Sequence, residues 1–549
     1  MHQPRVLYAL CLLLIVPLHA ASPQKPVKTE PNLGAQIRAI TNQPQMASAL
    51  WGIDVVDLES GKVIYSLNPD HLFLPASNVK LLTTAAVLAV AGPDYRFHTT
   101  VETTGKLDSN GRLLGDLVIV GRGDANISGR VMPYQVKTER ISPPTLVLEQ
   151  LADQLIQNGL KIVDGDLIGD DTFYSAQRYG DGWAYDDLQW IDGAPVSALS
   201  FNDNVLFIRI HPGEQVGERA LVTTDPETTY YEIDNRIVTS AAGVARKIGV
   251  HRDAGSLKVL LWGSLPLNDS GTSEAITIED PAEFTAQLFR SILEKRGITV
   301  TGKTHARHGD PAQFFDQPPP QQAVEEGRNR KQCCMGSNAA MQQPQVQPLV
   351  TPSTAPQILA EHVSLPLLED IRVTNKASQN LHAELMLRLI GKLKGGDGSF
   401  EDGSAARRQF LLKAGLRSDE FFLLDGSGLS RRDLITPESV VHLLTYASRQ
   451  AWGPIYEQTL PVAGVDGSLA ERFLNTPANG MVHAKTGTLS HVNALSGYAE
   501  TRSGHRFVFS IFCNNHNVPS SKVISAIDSI VVLLVTEGDK AKPQLPESQ

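Results

Sequence analysis

Apolar and polar positions alternate in two short runs near the start of the chain, Gly52-Ile53-Asp54-Val55-Val56 and Lys62-Val63-Ile64-Tyr65. Glu59-Ser60-Gly61 lies between them, so Trp51 to Asn68 is expected to form a β-hairpin. An apolar run, Leu81 to Leu88, follows and stops at Ala91-Gly92-Pro93, which predicts a helix with a Gly/Pro stop. From Tyr95 to about His308 the texture becomes short strands and turns, such as Leu117-Val118-Ile119-Val120 and Val205-Leu206-Phe207-Ile208. Two helices interrupt it, Pro144 to Asn158 and Pro281 to Arg296, each starting at a proline, ending at a glycine (Gly159, Gly297) and running into a strand. The echo points to related pieces of one mixed region, not a repeat array. Gly309 to Pro356 is Gln/Pro-rich and cannot bury enough apolar surface to order itself, which predicts a disordered insertion. The pattern resumes at Val363-Ser364-Leu365-Pro366-Leu367. It continues with helices Leu381 to Leu393 and Pro437 to Ser448, strands Asn493 to Glu500 and Arg506 to Cys513, and a last helix, Lys522 to Leu534.

A chain of 549 residues is too long for one ordinary core, and its 42% hydrophobic and 20% charged content is that of a soluble globular protein. Net charge is −10 without any Lys/Arg block, which argues against nucleic acid as a partner. The first 21 residues read as a signal peptide: Arg5, an apolar stretch from Val6 to Leu18, then Ala20, Ala21 and Ser22. That stretch is too short to span a bilayer, and no later run approaches ~18 apolar residues. Leu10 before Cys11 departs from a lipoprotein signal. The expectation is an exported protein of the periplasm or cell envelope, with no stable membrane anchor after cleavage. Cys333, Cys334 and Cys513 then remain, an odd set that allows at most a single bridge to Cys513.

Chemistry concentrates in three short motifs. Ser77-Asn78-Val79-Lys80 places a hydroxyl and an amine on one helix face about one turn apart, so the lysine can take the serine proton with no histidine between them. Ser378-Gln379-Asn380 sits just before a helix, where two short polar side chains most often act as a cap. Lys485-Thr486-Gly487-Thr488 sets a lysine and hydroxyls beside a glycine that lets a strand approach a ligand closely. Each alone is weak. His305 and His308 have no carboxylate or cysteine ligand near them in sequence and read as solvated loop residues, so no metal or other cofactor is expected.

The order S-x-x-K, S-x-N, K-T-G is the set found in serine acyltransferases acting on D-Ala-D-Ala and β-lactams. The chain resembles the D-alanyl-D-alanine carboxypeptidase/endopeptidase family of penicillin-binding proteins, the low-molecular-mass class C type, peptidase family S13. Asp425-Gly426-Ser427-Gly428-Leu429-Ser430-Arg431, Gly193 to Asn204 and Val120 to Asp124 are similar to further segments of that family. About 300 residues separate Ser77 from Ser378, as in this class, whereas class A β-lactamases close that gap in far fewer.

The resemblance implies an α/β (α+β) transpeptidase/β-lactamase-like domain, split between residues 30–92 and 357–536, with two inserted mainly-β domains. One comprises 93–178 and 258–308, and the second, 179–257, is nested within it; 309–356 is the disordered insertion. It implies serine-type D-Ala-D-Ala carboxypeptidase activity, with DD-endopeptidase cleavage, on peptidoglycan stem peptides, and inhibition by β-lactams. Ser77 is then the nucleophile and Lys80 its base, with a pKa lowered to roughly 7–8 by burial and by Lys485. Ser378 relays the proton and Asn380 holds Lys80 and the substrate amide. Lys485, Thr486 and Thr488 face the substrate carboxylate beside Gly487, and the N–H groups of Ser77 and Thr488 form the oxyanion hole. Arg431 is expected near the substrate, and Asp171 at the position that meets the diaminopimelate amine. The alternative is a low-turnover peptidoglycan-binding or scaffolding protein that keeps the motifs.

Overall fold

The computed structural model describes residues 31–135, 140, 143–309 and 355–537. The expected signal peptide and nearly all of the Gln/Pro-rich insertion, with Cys333 and Cys334, lie outside the described residues. The hairpin forms as the alternation dictates: Leu50–Asp57 pairs antiparallel with Val63–Leu67, with an irregularity between Val55 and Val56. Leu50–Asp57 also pairs with Arg506–Asn514, far away in sequence, and Val492–Glu500 and Val482–Leu489 complete an antiparallel five-stranded sheet.

Both faces of this sheet are buried, which explains why its last strands read as unbroken apolar runs. Side chains of a strand point alternately to opposite faces. Phe507, Phe509, Ile511 and Cys513 join a core with the terminal helices Pro31–Thr41 and Ser520–Glu537. Val508 and Phe512 join a second core with helices Val79–Ala91, Asn380–Leu393, Phe400–Lys413 and Pro437–Ser448. The unit around this sheet is thus built from segments far apart in the sequence, before residue 92 and after residue 363.

Among the described residues the inserted region forms four further sheets. Thr304–Arg307, Leu167–Asp170, Leu117–Val120, His98–Thr103 and Gln357–Val363 lie side by side in one five-stranded sheet. A four-stranded sheet and two three-stranded sheets accompany it, with helices Leu146–Gln157 and Pro281–Lys295. Both helices stop where the glycines predict: Gly159 and Gly297 have φ of 83° and 84°, which side chains with a Cβ rarely adopt. One contiguous set of buried apolar side chains, from Val101 through Leu206 and Ile237 to Phe289, runs through all these sheets.

Strand pairing moves two of the expected boundaries. Lys258–Pro266 is the middle strand between Glu232–Ser240 and Lys247–His251, and Thr272–Thr277 pairs with Val205–His211. Residues 258–277 therefore go with the nested segment rather than with 93–178. Gln357–Val363 pairs with His98–Thr103, so the chain leaves the inserted sheet only after residue 363, not at 357. Hydrophobic pattern marks where a strand is, but its neighbour is chosen by pairing across long sequence distances.

Two helices that frame the site meet at small residues. A Cβ on Gly391 would come within 2.7 Å of the Gly403 nitrogen, and a Cβ on Gly403 would fall on the Leu387 carbonyl oxygen. Gly403→Ala is favoured by helix propensity by ~1 kcal/mol, but overpacking against backbone costs ~1–3 kcal/mol. The clash should win, and urea unfolding should show a lower midpoint for Gly403→Ala than for the unaltered protein.

Candidate active site

Ser77 sits in a 3₁₀ turn, Ala76–Asn78, immediately before the helix Val79–Ala91 rather than within it. The preceding Ala76 has φ of 48°, and the backbone there packs against Gly428, itself at φ 84°. Ser77 is half-buried while Lys80, one turn on, has no exposed surface. Lys80 Nζ lies 3.0 Å from Ser77 Oγ, 2.6 Å from Asn380 Oδ1 and 2.8 Å from the Ser427 carbonyl oxygen. A neutral amine has two N–H donors and a lone pair. With both donors committed to Asn380 and Ser427, the lone pair is left for the Ser77 hydroxyl.

Burial lowers the Lys80 pKa to about 8, against the opposing pull of the Asp425, Glu384 and Asp192 carboxylates. Lys485 is not among the groups that shift Lys80; its own pKa is held well below the usual lysine range by burial and then by Lys80. The loop that presents the Ser427 carbonyl is clamped from beneath. The Glu384 carboxylate accepts the Gly426 and Ser427 N–H groups at 2.8 Å each, and Asp425 accepts those of Gly428 and Ser430 at 2.7 Å. Burial and the nearby Asp425 raise Glu384 to about 8.

The S-x-N motif is not a side-chain cap. Gln379 occupies the cap position of helix Asn380–Leu393 without a side-chain capping bond, and Ser378 is held at φ 60°. Asn380 donates its Nδ2 to the Asp192 carbonyl at 2.9 Å, which fixes Oδ1 toward Lys80. Gln379 donates to Asp203 Oδ2 at 2.5 Å, and His382 Nε2 is 3.1 Å from Asp203 Oδ1. Arg130 and Arg140 close on the same buried carboxylate.

Lys485 lies on strand Val482–Leu489 and has no exposed surface. Its Nζ donates to Ser378 Oγ at 2.8 Å and to the Thr486 carbonyl at 2.9 Å. Thr486 Oγ1 is 2.8 Å from Ser468 Oγ, and exposed Thr488 accepts from Asn493 at 3.2 Å. A Cβ on Gly487 would meet the Pro75 carbonyl at 2.7 Å and Asn78 Nδ2 at 2.8 Å, so only glycine lets this strand lie against the Ser77 turn. The three motifs, scattered over the sequence, form one connected cluster: a hydroxyl beside an amine, a second hydroxyl beside a second amine.

The model of the D-Ala-D-Ala carboxypeptidase 3 (S13) family matches residues 33–313 and 342–535. The chain belongs to this family. It is 33% identical over 526 residues to the D-alanyl-D-alanine carboxypeptidase of Actinomadura sp. (strain R39), covering 94% of this chain and 86% of that one. The D-alanyl-D-alanine carboxypeptidase DacB of Haemophilus influenzae is 24% identical over 473 residues, 85% of each. The fold is shared with the crystal structure of penicillin binding protein 4 (dacB) from H. influenzae, at TM-score 0.71 and 22% identity over 91% of this chain and 98% of that one. A second structure of that protein, complexed with a novel β-lactam, matches at TM-score 0.66 and 20% identity over 91% and 99%. As a member of the S13 family the chain is a peptidase, of the D-Ala-D-Ala carboxypeptidase class.

Other residues of this S13 peptidase lie around or apart from the Ser77 cluster. Arg431 is exposed and donates to the Ser490 carbonyl at 3.3 Å, just beyond the Lys485 strand. Asp171 is buried, and its carboxylate takes Ser197 Oγ at 2.8 Å and His308 Nδ1 at 2.9 Å, partners outside the Ser77 cluster. His308 is no solvated loop residue: bonds to Asp171 and Asp280 raise its pKa to about 10. His305 lies on strand Thr304–Arg307. Cys513 is a buried free thiol, pushed up to about 12 by burial. Among the described residues no group of three or more His, Cys, Asp or Glu could hold a metal ion, and no helix is long and apolar enough to cross a membrane.

Sequence reasoning missed Glu384, Ser468, Asp192 and Asp203. Asp203 had a signal: Asn202-Asp203-Asn204 are residue types that tolerate positive φ, and all three adopt it, at 52°, 56° and 53°.

The buried network behind the S-x-N motif sets a pH dependence. Burial alone would lower His382, but Asp370 and Asp203 raise it to about 9. A raised histidine contributes stability that is complete below its unfolded value near 6.5 and lost as pH climbs through about 9. The Tm gap between the unaltered protein and His382→Gln should therefore be widest near pH 6 and narrow as the pH passes 9, as thermal melts across that range would show.

Proposed function

We propose that this S13 peptidase is an exported envelope enzyme that removes the terminal D-Ala of peptidoglycan stem peptides through a Ser77 acyl-enzyme, and also cleaves D-amino-acid cross-links as a DD-endopeptidase. The observation that carries the reading is the placement of Lys80 Nζ, 3.0 Å from Ser77 Oγ and with a pKa brought to about 8.

Lys80 in its neutral form takes the Ser77 proton as the serine oxygen attacks the penultimate D-Ala carbonyl. Ser378, 2.8 Å from Lys485 Nζ, relays a proton to the departing D-Ala amine. Asn380, pinned by Asp192 and Lys80, offers its amide edge to the substrate backbone. Lys485, Thr486 and Thr488 receive the terminal carboxylate, and the N–H groups of Ser77 and Thr488 receive the developing oxyanion, a contribution of about 3 kcal/mol per donor. Arg431, at the rim beside Ser490, lies on the carboxylate side. Water then hydrolyses the ester. The engaged carboxylate of Asp171 gives no support to a contact with a substrate amine. A β-lactam, whose strained amide imitates D-Ala-D-Ala, acylates the same serine; the relative complexed with a β-lactam supports this.

Labelled penicillin should give one covalent adduct, absent in Ser77→Ala. Because only neutral Lys80 accepts the proton, the acylation rate should rise with pH, have its midpoint near 8 and level off above it. Lys80→Arg, which cannot lose its proton, should lower acylation about 10²–10⁴-fold. An adduct that survives Ser77→Ala, or a rate independent of pH between 6 and 10, would sink this mechanism. Release of D-Ala from a pentapeptide, measured beside cleavage of a cross-linked dimer, tests the two activities separately.

A further inference from the structure

Helix Asn380–Leu393 serves Lys80 twice. Asn380 and Glu384 are four residues apart, so their side chains project from one face of the helix, a turn from each other. Asn380 gives Lys80 Nζ one acceptor directly, at 2.6 Å. Glu384, which has no exposed surface, supports the other at one remove. Its Oε1 accepts the Ser427 N–H and its Oε2 the Gly426 N–H, both at 2.8 Å. The carbonyl of the same Ser427 accepts from Lys80 Nζ at 2.8 Å. A single residue therefore separates the Glu384 carboxylate from the amine.

The loop is also tied to the serine's own helix. Thr83, one turn after Lys80, donates Oγ1 to the Gly426 carbonyl at 2.8 Å, and a Cβ on Gly428 would overlap the Ala76 carbonyl oxygen. The two N–H groups call for an ionised Glu384, since a carboxylate is all acceptor, whereas a protonated carboxyl carries a donor of its own. Around Glu384 stand Lys80 on the serine helix, Asp425 and Asp433 in the loop, Arg407 on helix Phe400–Lys413 and Arg388 one turn along its own helix. Lys80 in addition faces Asp192 of the inserted region and Lys485 of strand Val482–Leu489. Burial and Asp425 push the Glu384 carboxyl up to about 8, and the two N–H groups and Lys80 pull it back.

A neutral amine whose two N–H donors are both fixed has its lone pair fixed as well. The direction of the Lys80 lone pair toward Ser77 Oγ thus depends on where the Ser427 carbonyl stands. We infer that Glu384 is a positioning residue for the Ser77 reaction: through the Ser427 carbonyl it aims the Lys80 lone pair at the serine, and its charge governs how readily Lys80 gives up its proton. The inference rests on the reading of Lys80 as the base given above. Three substitutions separate aim from charge. Glu384→Gln keeps the shape, loses the charge and turns an NH2 toward one of the two N–H groups. Glu384→Asp keeps the charge on a side chain one methylene too short to reach both. Thr83→Val removes the hydroxyl bonded to Gly426 and Arg407 and leaves every charge in place.

Stopped-flow acylation of the full chain by a fluorescent penicillin between pH 6 and 10 tests it, read as a rate constant so that unfolded molecules do not count. Both Glu384 variants should lower the plateau rate about 10–100-fold, the usual cost of a misplaced reacting group, and Thr83→Val should lower it less. The pH midpoint should stay near 8 in Glu384→Asp and Thr83→Val. In Glu384→Gln it should move to lower pH, because loss of a nearby anion favours the free lysine base. A merely structural role would reduce the labelled fraction and leave rate constant and midpoint alone. Unchanged rate constants in both Glu384 variants, or an unmoved midpoint in Glu384→Gln, would overturn the inference. Should neither Glu384 variant fold, Thr83→Val decides: a slower rate at an unmoved midpoint supports the aim, an unchanged rate overturns it. Failure of the unaltered protein to acylate at Ser77, or a rate there that ignores pH, removes the mechanism itself. Normal behaviour of the unaltered protein beside unaffected variants removes only the role of Glu384.

Discussion

The buried amine of Lys80 is the constraint on which the rest of the site depends. An ammonium without exposed surface is costly unless it is bonded on every side or gives up its proton. Here the protein does part of each: two fixed acceptors, Asn380 Oδ1 and the Ser427 carbonyl, hold the nitrogen, and burial brings its pKa to about 8. These acceptors come from segments 300 and 347 positions away. They are fixed in turn, one by the Asp192 carbonyl and the other by the Glu384 carboxylate under its loop. Arg407 ties that loop to the lysine's own helix, donating to the Asp425 carbonyl at 2.6 Å and to Thr83 Oγ1 at 3.0 Å. On the proposed reading, the chemistry of the serine follows from the meeting of these distant segments, since no single one holds the amine alone.

The inserted region takes part in that closure. Asp192 orients Asn380, Trp183 donates to Asp425 at 2.9 Å, and Asp203 gathers Gln379, His382, Arg130 and Arg140 behind the S-x-N motif. Ser378 and the three residues Asn202 to Asn204 all have positive φ, a conformation that costs roughly 1–3 kcal/mol at each non-glycine position. Such strain persists only where surroundings over-determine it, and the carboxylate of Asp203 provides that surrounding. Burial would raise this carboxyl, yet Arg130, Arg140 and His382 hold it well below the usual range. The insertion thus works as a brace on the second motif.

Much of this was legible in the sequence because it rests on local rules. The hairpin, both proline-initiated helices with their glycine stops and the final strand pair follow from periodicity and end signals, and each forms near its expected bounds. Residues Ser77, Lys80, Ser378, Asn380 and Lys485 come together because the motifs encode side chains that must meet. What was illegible depends on partners that only tertiary pairing selects. Gln357–Val363 looks like any strand until it joins His98–Thr103. Ser378-Gln379-Asn380 looks like a cap, because a cap and a polar pair that bonds Lys485 and Lys80 use the same short polar residues. Glu384 is a charge within a helix, and nothing local tells that it lies under the Ser427 loop.

The second lysine completes the electrostatic logic. Lys485 is buried beside Ser378, among the described residues no carboxylate is paired with it, and burial and Lys80 lower its pKa. On the proposed reading, a substrate brings the missing anion as its terminal carboxylate, which favours the charged form of Lys485. Charge–charge coupling is reciprocal: a proton gained at Lys485 makes a proton at Lys80 less favourable. Arrival of the correct carboxylate would then drive Lys80 further toward the free base at the moment Ser77 needs it. A ligand lacking that carboxylate would leave both lysines at their resting values, so selectivity for a C-terminal residue and activation of the serine would share one cause.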